Sequence, residues 1–365
     1  MGRAQNEADS IPSLRLITVF TPSFADENNT NAQNLTVKEV VARLDPSRYR
    51  VIMHGLNAPD PRLANRKNTV ILPWRKHANT ARSLLQILRH APDVYFFPRE
   101  GPLDGAFMTL RKVLHLRCAL VTYIVSGWAE KRAEKDQPLL WRAIRECDAI
   151  AGNSRHMSET VRRLGGENVH TVYDGIDSRY YFAASGSQPE SYRILFAGSF
   201  RPYKRVDLVV REAARFPNWE FRLAGTGEEA SACRRLAQET NCQNVHFLGH
   251  LDAARLGEEM RQAQVFFFPS EIEGHPQVLG QAAACGLPCI ARSSYEPDYV
   301  IDGVTGLLAA SDADLSAALA RLIGDPSMRR TMSDAAIRHA RRFDWDDVTR
   351  QWAEIMEEAV ARRRN

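Results

Sequence analysis

The chain has 365 residues, 44% apolar and 25% charged, with 48 basic and 44 acidic side chains for a net charge of +4. That length is enough for two domains with separate cores, and the charge balance is too mild to point to nucleic acid. No stretch reaches the roughly 18 apolar residues of a membrane span; the longest run, CALVTYIV at 118–125, is of strand length. The opening segment MGRAQNEADSIPSLRLITVF is polar and lacks the apolar core of a signal peptide, so the expectation is a cytoplasmic protein. Six cysteines stand at 118, 147, 233, 242, 285 and 289 with no Cys-x-x-Cys pair and no zinc spacing. They read as small buried residues in a reducing compartment.

In chain order, the first half offers strands at 15–20, 50–54, 69–72, 93–97, 119–125, 148–152 and 169–173. Basic groups cluster in KHANTARSLLQILRH (76–90) and RKVLHLR (111–117), and again in the tail ARRRN. These read as solvated helix faces, the alternative being peripheral contact of the basic helices with the inner face of an acidic membrane. A polar, proline-containing stretch at 178–191 suits an interdomain linker. The second half offers strands at 193–198, 220–225, 245–249, 265–269, 288–291 and 306–309, alternating with helices at 206–215, 228–240, 252–263 and 277–285. After residue 310 only helices follow, at 311–325, 327–343 and 345–364. The runs are apolar on both faces, as central parallel strands require. The fold class is therefore α/β, with two doubly wound Rossmann-like domains facing a cleft and C-terminal helices. The domains are expected at 1–182 and 183–345, with a helix at 346–365 crossing back to the first domain.

In such sheets ligands bind beyond the carboxyl ends of the strands. After VFFFP (265–269) the chain carries Glu273 and Pro276, and then the helix QVLGQAAAC, which ends at Gly286. Proline suits the first helical turn, and Gly286 suits a left-handed cap. The free N–H groups and positive dipole end at 276–278 then present themselves to an anion such as a diphosphate. Gln281 lies four residues beyond Gln277, on the same helix face. After Gly198, a second loop carries Arg201, Lys204 and Arg205, cations suited to phosphate oxygens. LAGTGEE (223–229) supplies a glycine turn at Gly225 without a full dinucleotide fingerprint.

Taken together, GSFRPYKRVD, LAGTGEE, FLGHL, FFFPSEIEGHPQVLGQAAACGLPCIA, DYVIDGVTGLLAASD and FDWDDV, with CDAIAGNS and VYDGID before them, resemble the retaining glycosyltransferases of family 4, which have the GT-B fold. The resemblance spans residues about 145 to 350. It implies Glu273 on the transferred sugar's hydroxyls, Lys204 on the phosphates, and donor contacts from Gly198, Ser199, Arg201, Gly225, Gly274, His275, Pro276, Gln277, Val278 and Gln281. Glu273 and Lys204 are the expected catalytic pair. The chain also departs from the pattern. Gln281 replaces the family's ribose-binding Glu, Ser199 stands where Arg often follows the glycine, and His275-Pro276 replaces Phe-Gly and removes one backbone N–H. His275 reads equally as a histidine hydrogen-bonded within its loop. Asp298, where the family usually has Glu, reads as structural.

On the acceptor side the family's Gly-Gly loop is replaced by TPSFADENNTNAQN, with Asn31 and Gln33 as candidate ligands. Ser126 stands where members often carry His. The pairs Asp312/Asp314 and Asp344/Asp346 begin helices, so they read as helix N-terminal charge and no metal is predicted. The resemblance implies no cofactor beyond a nucleoside diphosphate sugar as co-substrate. The acceptor would be a glycan, glycolipid or small molecule, in cell-surface polysaccharide or glycolipid synthesis. The alternatives are a catalytically impaired nucleotide-sugar-binding protein, motivated by the three departures, and a two-domain epimerase or phosphorylase, which the EGHPQVLGQ block disfavours.

Overall fold

The computed structural model describes residues 15–27, 32–74, 80–98, 101–125, 134–184 and 192–364. The apolar runs form two parallel sheets. The first takes β1 (Ile17–Phe24), β2 (Tyr49–Gly55), β3 (Thr69–Pro73), β4 (Val94–Phe97), β5 (Ala119–Ile124), β6 (Ala149–Gly152) and β7 (Val169–Thr171), in the order β3-β2-β1-β4-β5-β6-β7. The second takes β8 (Arg193–Ala197), β9 (Glu220–Ala224), β10 (Val245–Gly249), β11 (Val265–Phe268), β12 (Cys289–Arg292) and β13 (Gly306–Ala309), in the order β10-β9-β8-β11-β12-β13. The helices are α1 (Ala32–Arg43), α2 (Pro61–Ala64), α3 (Thr80–His90), α4 (Pro102–Val113), α5 (Pro138–Glu146), α6 (Arg155–Arg163), α7 (Val206–Arg215), α8 (Ala230–Glu239), α9 (Ala253–Gln262), α10 (Gln277–Ala284), α11 (Asp312–Gly324), α12 (Pro326–Ala340) and α13 (Trp345–Arg364). None is long and apolar enough to cross a membrane.

Strand order reverses between β1 and β4 in one sheet and between β8 and β11 in the other. Such a switch point opens a crevice at the carboxyl edge, because the two connections leave in opposite directions. β1 runs on to Phe24, past the expected end at residue 20, and includes Pro22. Its register against β2 slips between Phe20 and Phe24, and a ladder irregularity is where a strand tolerates a residue without an N–H.

By internal contacts the chain divides into two compact units. One holds the residues up to Thr122, Trp141–Ala149 and the stretch from Ala353; the other holds Tyr123–Leu140 and Ile150–Trp352. In the first, the end of α13 is fixed by charge. Arg363 Nε donates to Asp148 at 2.6 Å and Arg364 Nη2 to Asp93 at 3.1 Å. Each aspartate directly precedes a strand and also accepts a backbone N–H, from Leu120 and Thr18 respectively. In the second unit, Phe196, Phe266 and Phe268 are fully buried, with Phe268 stacked on both others at centroid distances of 6.0 Å. Each such ring contributes roughly 2–3 kcal/mol by leaving water. Asp298 is buried and accepts from the N–H and guanidinium of Arg155, the structural role expected of it. All six cysteines are unpaired, and only Cys242 is not buried.

Candidate functional site

Beyond the carboxyl ends of β8 and β11 lies a cavity of about 460 Å³. It sits at the switch point of the second sheet. Of the expected donor residues, Gly198, Ser199, Lys204, Gly225, Glu273, Pro276, Gln277, Val278 and Gln281 line it.

The loop after β8 begins at Gly198, and a 3₁₀ turn at Pro202–Lys204 follows. Proline starts that turn at no cost because its missing N–H would be unsatisfied there. The turn aims Lys204 at the loop after β11, where its Nζ pairs with Glu273 Oε1. The two side chains are only 13% and 12% exposed, and the ammonium lies 5.0 Å from the ring centroid of Phe268. One ionic contact thus joins the two loops that flank the switch point.

Arg205 is held in the left-handed region, φ 52°. Its guanidinium spans Glu271 at 2.7 Å and Asp312 at 2.9 Å, and its Nε donates to Asp207 at 3.2 Å. Arg201 turns the other way. It is exposed, caps the 3₁₀ turn and does not line the cavity. Its expected phosphate contact is therefore absent from this arrangement.

The floor is backbone. Gly225 has φ 136°, and a Cβ there would fall 1.8 Å from the Gly198 carbonyl oxygen. Main-chain bonds zip the neighbouring loops together, from Gly198 N to Ala224 O, Phe200 N to Thr226 O and Gly225 N to Gly249 O, at 2.7–3.0 Å.

Pro276 is the N-cap of α10, one position before the first turn expected for it. The N–H groups of Gln277 and Val278 lie at the helix N-terminus, where donors have no intrahelical partner and the dipole is positive. Gln277 and Gln281 both face the cavity. At the far end α10 terminates as expected, with Gly286 at φ 82°.

Gly274 and His275 do not line the cavity. The His275 ring packs beside Tyr173 and Tyr299, at centroid distances of 5.7 and 4.2 Å. Its buried Nε2 has no hydrogen-bond partner among the described residues, which corrects the expectation of a histidine bonded within its loop. Burial holds its pKa below the ordinary imidazole value. The phenol of Tyr295 is raised by burial and by the charge of nearby Glu273.

Sequence reasoning missed His250, Leu251, Leu256, Thr226 and Phe268, which also line the cavity. His250 and Leu251 follow β10 in the FLGHL segment, and a third glycine-ended strand at the same edge was the available signal. Asn31 and Ser126 lie outside the described residues, as does the side chain of Gln33.

The Asp-x-Asp pairs sit at helix starts. Asp314 closes a capping box with Ser311, and Asp312 pairs with Arg205 and Arg292. Among the described residues no group of three or more His, Cys, Asp or Glu side chains is arranged to hold a metal.

Residues 177–339 match the domain model of the group 1 glycosyl transferases. The D-inositol 3-phosphate glycosyltransferase of Kribbella flavida is 30% identical over 224 residues, 54% of this chain and 53% of that one. The Mycobacterium bovis enzyme of the same name is 32% identical over 235 residues, 57% and 48% of the two chains. The chain thus spans about half the length of these curated relatives. Among solved structures, Anabaena HepE in complex with UDP superposes with a TM-score of 0.74 at 16% identity, covering 94% of this chain and 100% of that one. Sucrose-phosphate synthase from Thermosynechococcus elongatus gives 0.74 at 18% identity, covering 95% and 100%. At these identities the likeness is one of fold, and the fold is the GT-B type expected, with two Rossmann-like parallel sheets.

Proposed function

We propose that the protein is a retaining, metal-independent glycosyltransferase of family 4 that moves a sugar from a nucleoside diphosphate sugar to an acceptor. The observation that carries this reading is the pairing of Lys204 with Glu273 in one cavity, beside the N-terminus of α10 and at the switch point of the sheet. Breaking the anomeric bond places negative charge on the departing diphosphate. The Lys204 ammonium and the N–H groups of Gln277 and Val278 are placed to receive it. Fixed donors of this kind act without reorganising, and removing one typically costs about 3–4 kcal/mol.

Glu273 would accept from the sugar hydroxyls, which fixes the anomeric carbon relative to Lys204. Gln281 on the same helix face would receive the ribose. Its amide oxygen accepts a hydroxyl, while its nitrogen only donates, so the ribose contact differs from a carboxylate's. Leu251 and Leu256 supply apolar wall for a base. Charge neutralisation by a lysine and a helix end removes the need for a metal. Retention would follow from attack on the face the diphosphate leaves. The acceptor would be a glycan, a glycolipid or a small molecule, and the basic helices of the N-terminal half would provide peripheral contact with an anionic membrane face.

A thermal-shift screen of nucleoside diphosphates and their sugars tests the reading, because a ligand that binds only the folded state raises its melting point. The expected result is a rise with one nucleotide class that Gln281→Ala diminishes. No response to any nucleotide would overturn it. Donor turnover, followed by mass spectrometry, separates this enzyme from a binding protein that has lost catalysis.

A further inference from the structure

A second cavity, of about 590 Å³, lies in the first unit at the amino edge of its sheet, and shares no residue with the donor pocket. Arg111, Lys112, Arg117, Arg145 and Arg363 line it, together with His115 and Glu146. Glu146 is held by Arg142 at 3.0 Å, and Asp148 alone answers both Arg111 and Arg363. Four positive charges are left over. Helices α4, α5 and α13 all end here, and their C-terminal dipoles supply about half a negative charge each. The remaining excess, about two and a half charges, matches a phosphate ester or pyrophosphate dianion better than it matches any carboxylate.

The site has a built interior. Arg111 is 7% exposed, with Nε on Cys118 O and Nη2 on Asp148, both at 2.7 Å. Its Nη1 makes no hydrogen bond among the described residues. Lys112 and Arg117 are exposed and carry no ion pair among them. His115 closes α4 in the left-handed region at φ 49°, an uncommon conformation for a residue with a side chain. On the same segment Val113 and Leu114 are 67% and 49% exposed, so an apolar rim borders the cations.

We propose that this cavity is a second anion site that takes a phosphate- or pyrophosphate-bearing group. The group is either free in solution or the headgroup of an anionic lipid against which Val113 and Leu114 would rest. This goes beyond the donor reading and does not depend on it.

The experiment uses full-length Lys204→Ala protein, in which the donor pocket has lost its phosphate lysine, with and without Lys112→Ala/Arg117→Ala. Both added substitutions are at exposed, unpaired positions and leave the fold intact. Inorganic pyrophosphate at ten times its Kd should raise the melting midpoint by about 3 °C in the first protein and not in the second. Flotation with phosphatidylglycerol against phosphatidylcholine vesicles reads the lipid source. Phosphatidylglycerol-selective binding should fall at least tenfold on the double substitution. Loss of the pyrophosphate response assigns a soluble ligand, and loss of vesicle binding assigns the headgroup. Two responses that are both absent, or both unchanged by the substitution, overturn the proposal.

Discussion

Replacing Lys204 with Met keeps the stem that packs over Phe268 and removes the ammonium. In the empty protein this leaves Glu273 without its partner in a site where both side chains are about seven-eighths buried. Stranding one member of a fully buried pair costs about 3–5 kcal/mol. Glu273 faces an open cavity, so water reaches it and the loss should be nearer ~1–2 kcal/mol. Glu273→Gln strands the lysine to a similar degree. The double variant strands neither and should recover at least ~1 kcal/mol of the summed loss. Turnover follows a different rule. One aimed charge on the leaving group is worth ~3–4 kcal/mol, so Lys204→Met should lower kcat by about 10²–10³-fold, and pairing it with Glu273→Gln restores nothing. Urea unfolding reads the first quantity and mass spectrometry of released nucleoside diphosphate reads the second. Turnover within threefold of the parent in Lys204→Met, or additive destabilisation in the double variant, would refute the reasoning.

Other outcomes follow from single contacts. Gln281→Glu should leave nucleotide binding within a few-fold, by calorimetry, if the amide only retunes the ribose contact. Gly225→Ala should destabilise by about 3 kcal/mol or more in denaturant unfolding, since its Cβ meets a carbonyl oxygen and its backbone leaves the allowed region. His275→Phe should be neutral or stabilise by up to ~1 kcal/mol, because it removes a buried nitrogen that makes no hydrogen bond. Asp104 is buried beneath Tyr95, and burial pushes its carboxyl up to about 6. The folded state then binds that proton more tightly than the unfolded chain. Its contribution is therefore greatest below the unfolded value near 4 and is lost as pH rises through about 6, by roughly 1–3 kcal/mol. Unfolding from pH 4 to 7 should show this slope in the parent and not in Asp104→Asn.

The strands were legible because parallel strands buried on both faces leave nearly continuous apolar runs, as VFFF does at Val265–Phe268. Lys204 and Glu273 were legible for a related reason: each stands a few residues past such a run, and the carboxyl edge gathers them whatever their separation in sequence. Arg201 was not, because the direction of its side chain depends on the turn that Pro202 starts, and composition does not encode a rotation. The extension of β1 through Pro22 hid behind a residue that normally excludes a strand. His275 looked like a polar loop residue, and only tertiary packing turned it into a ring between tyrosines. His250, Leu251 and Leu256 line the cavity through fold geometry alone, since nothing about two leucines and a histidine announces a ligand.

Arg205 has a consequence for the thermodynamics of the pocket. With its one guanidinium on Asp207, Glu271 and Asp312, it staples together three segments that leave the sheet at different places. The walls are therefore set before anything arrives, and association need not spend much free energy on freezing loops. A calorimetric signature with a modest entropic penalty should accompany the native protein, and cutting the staple should worsen entropy more than enthalpy.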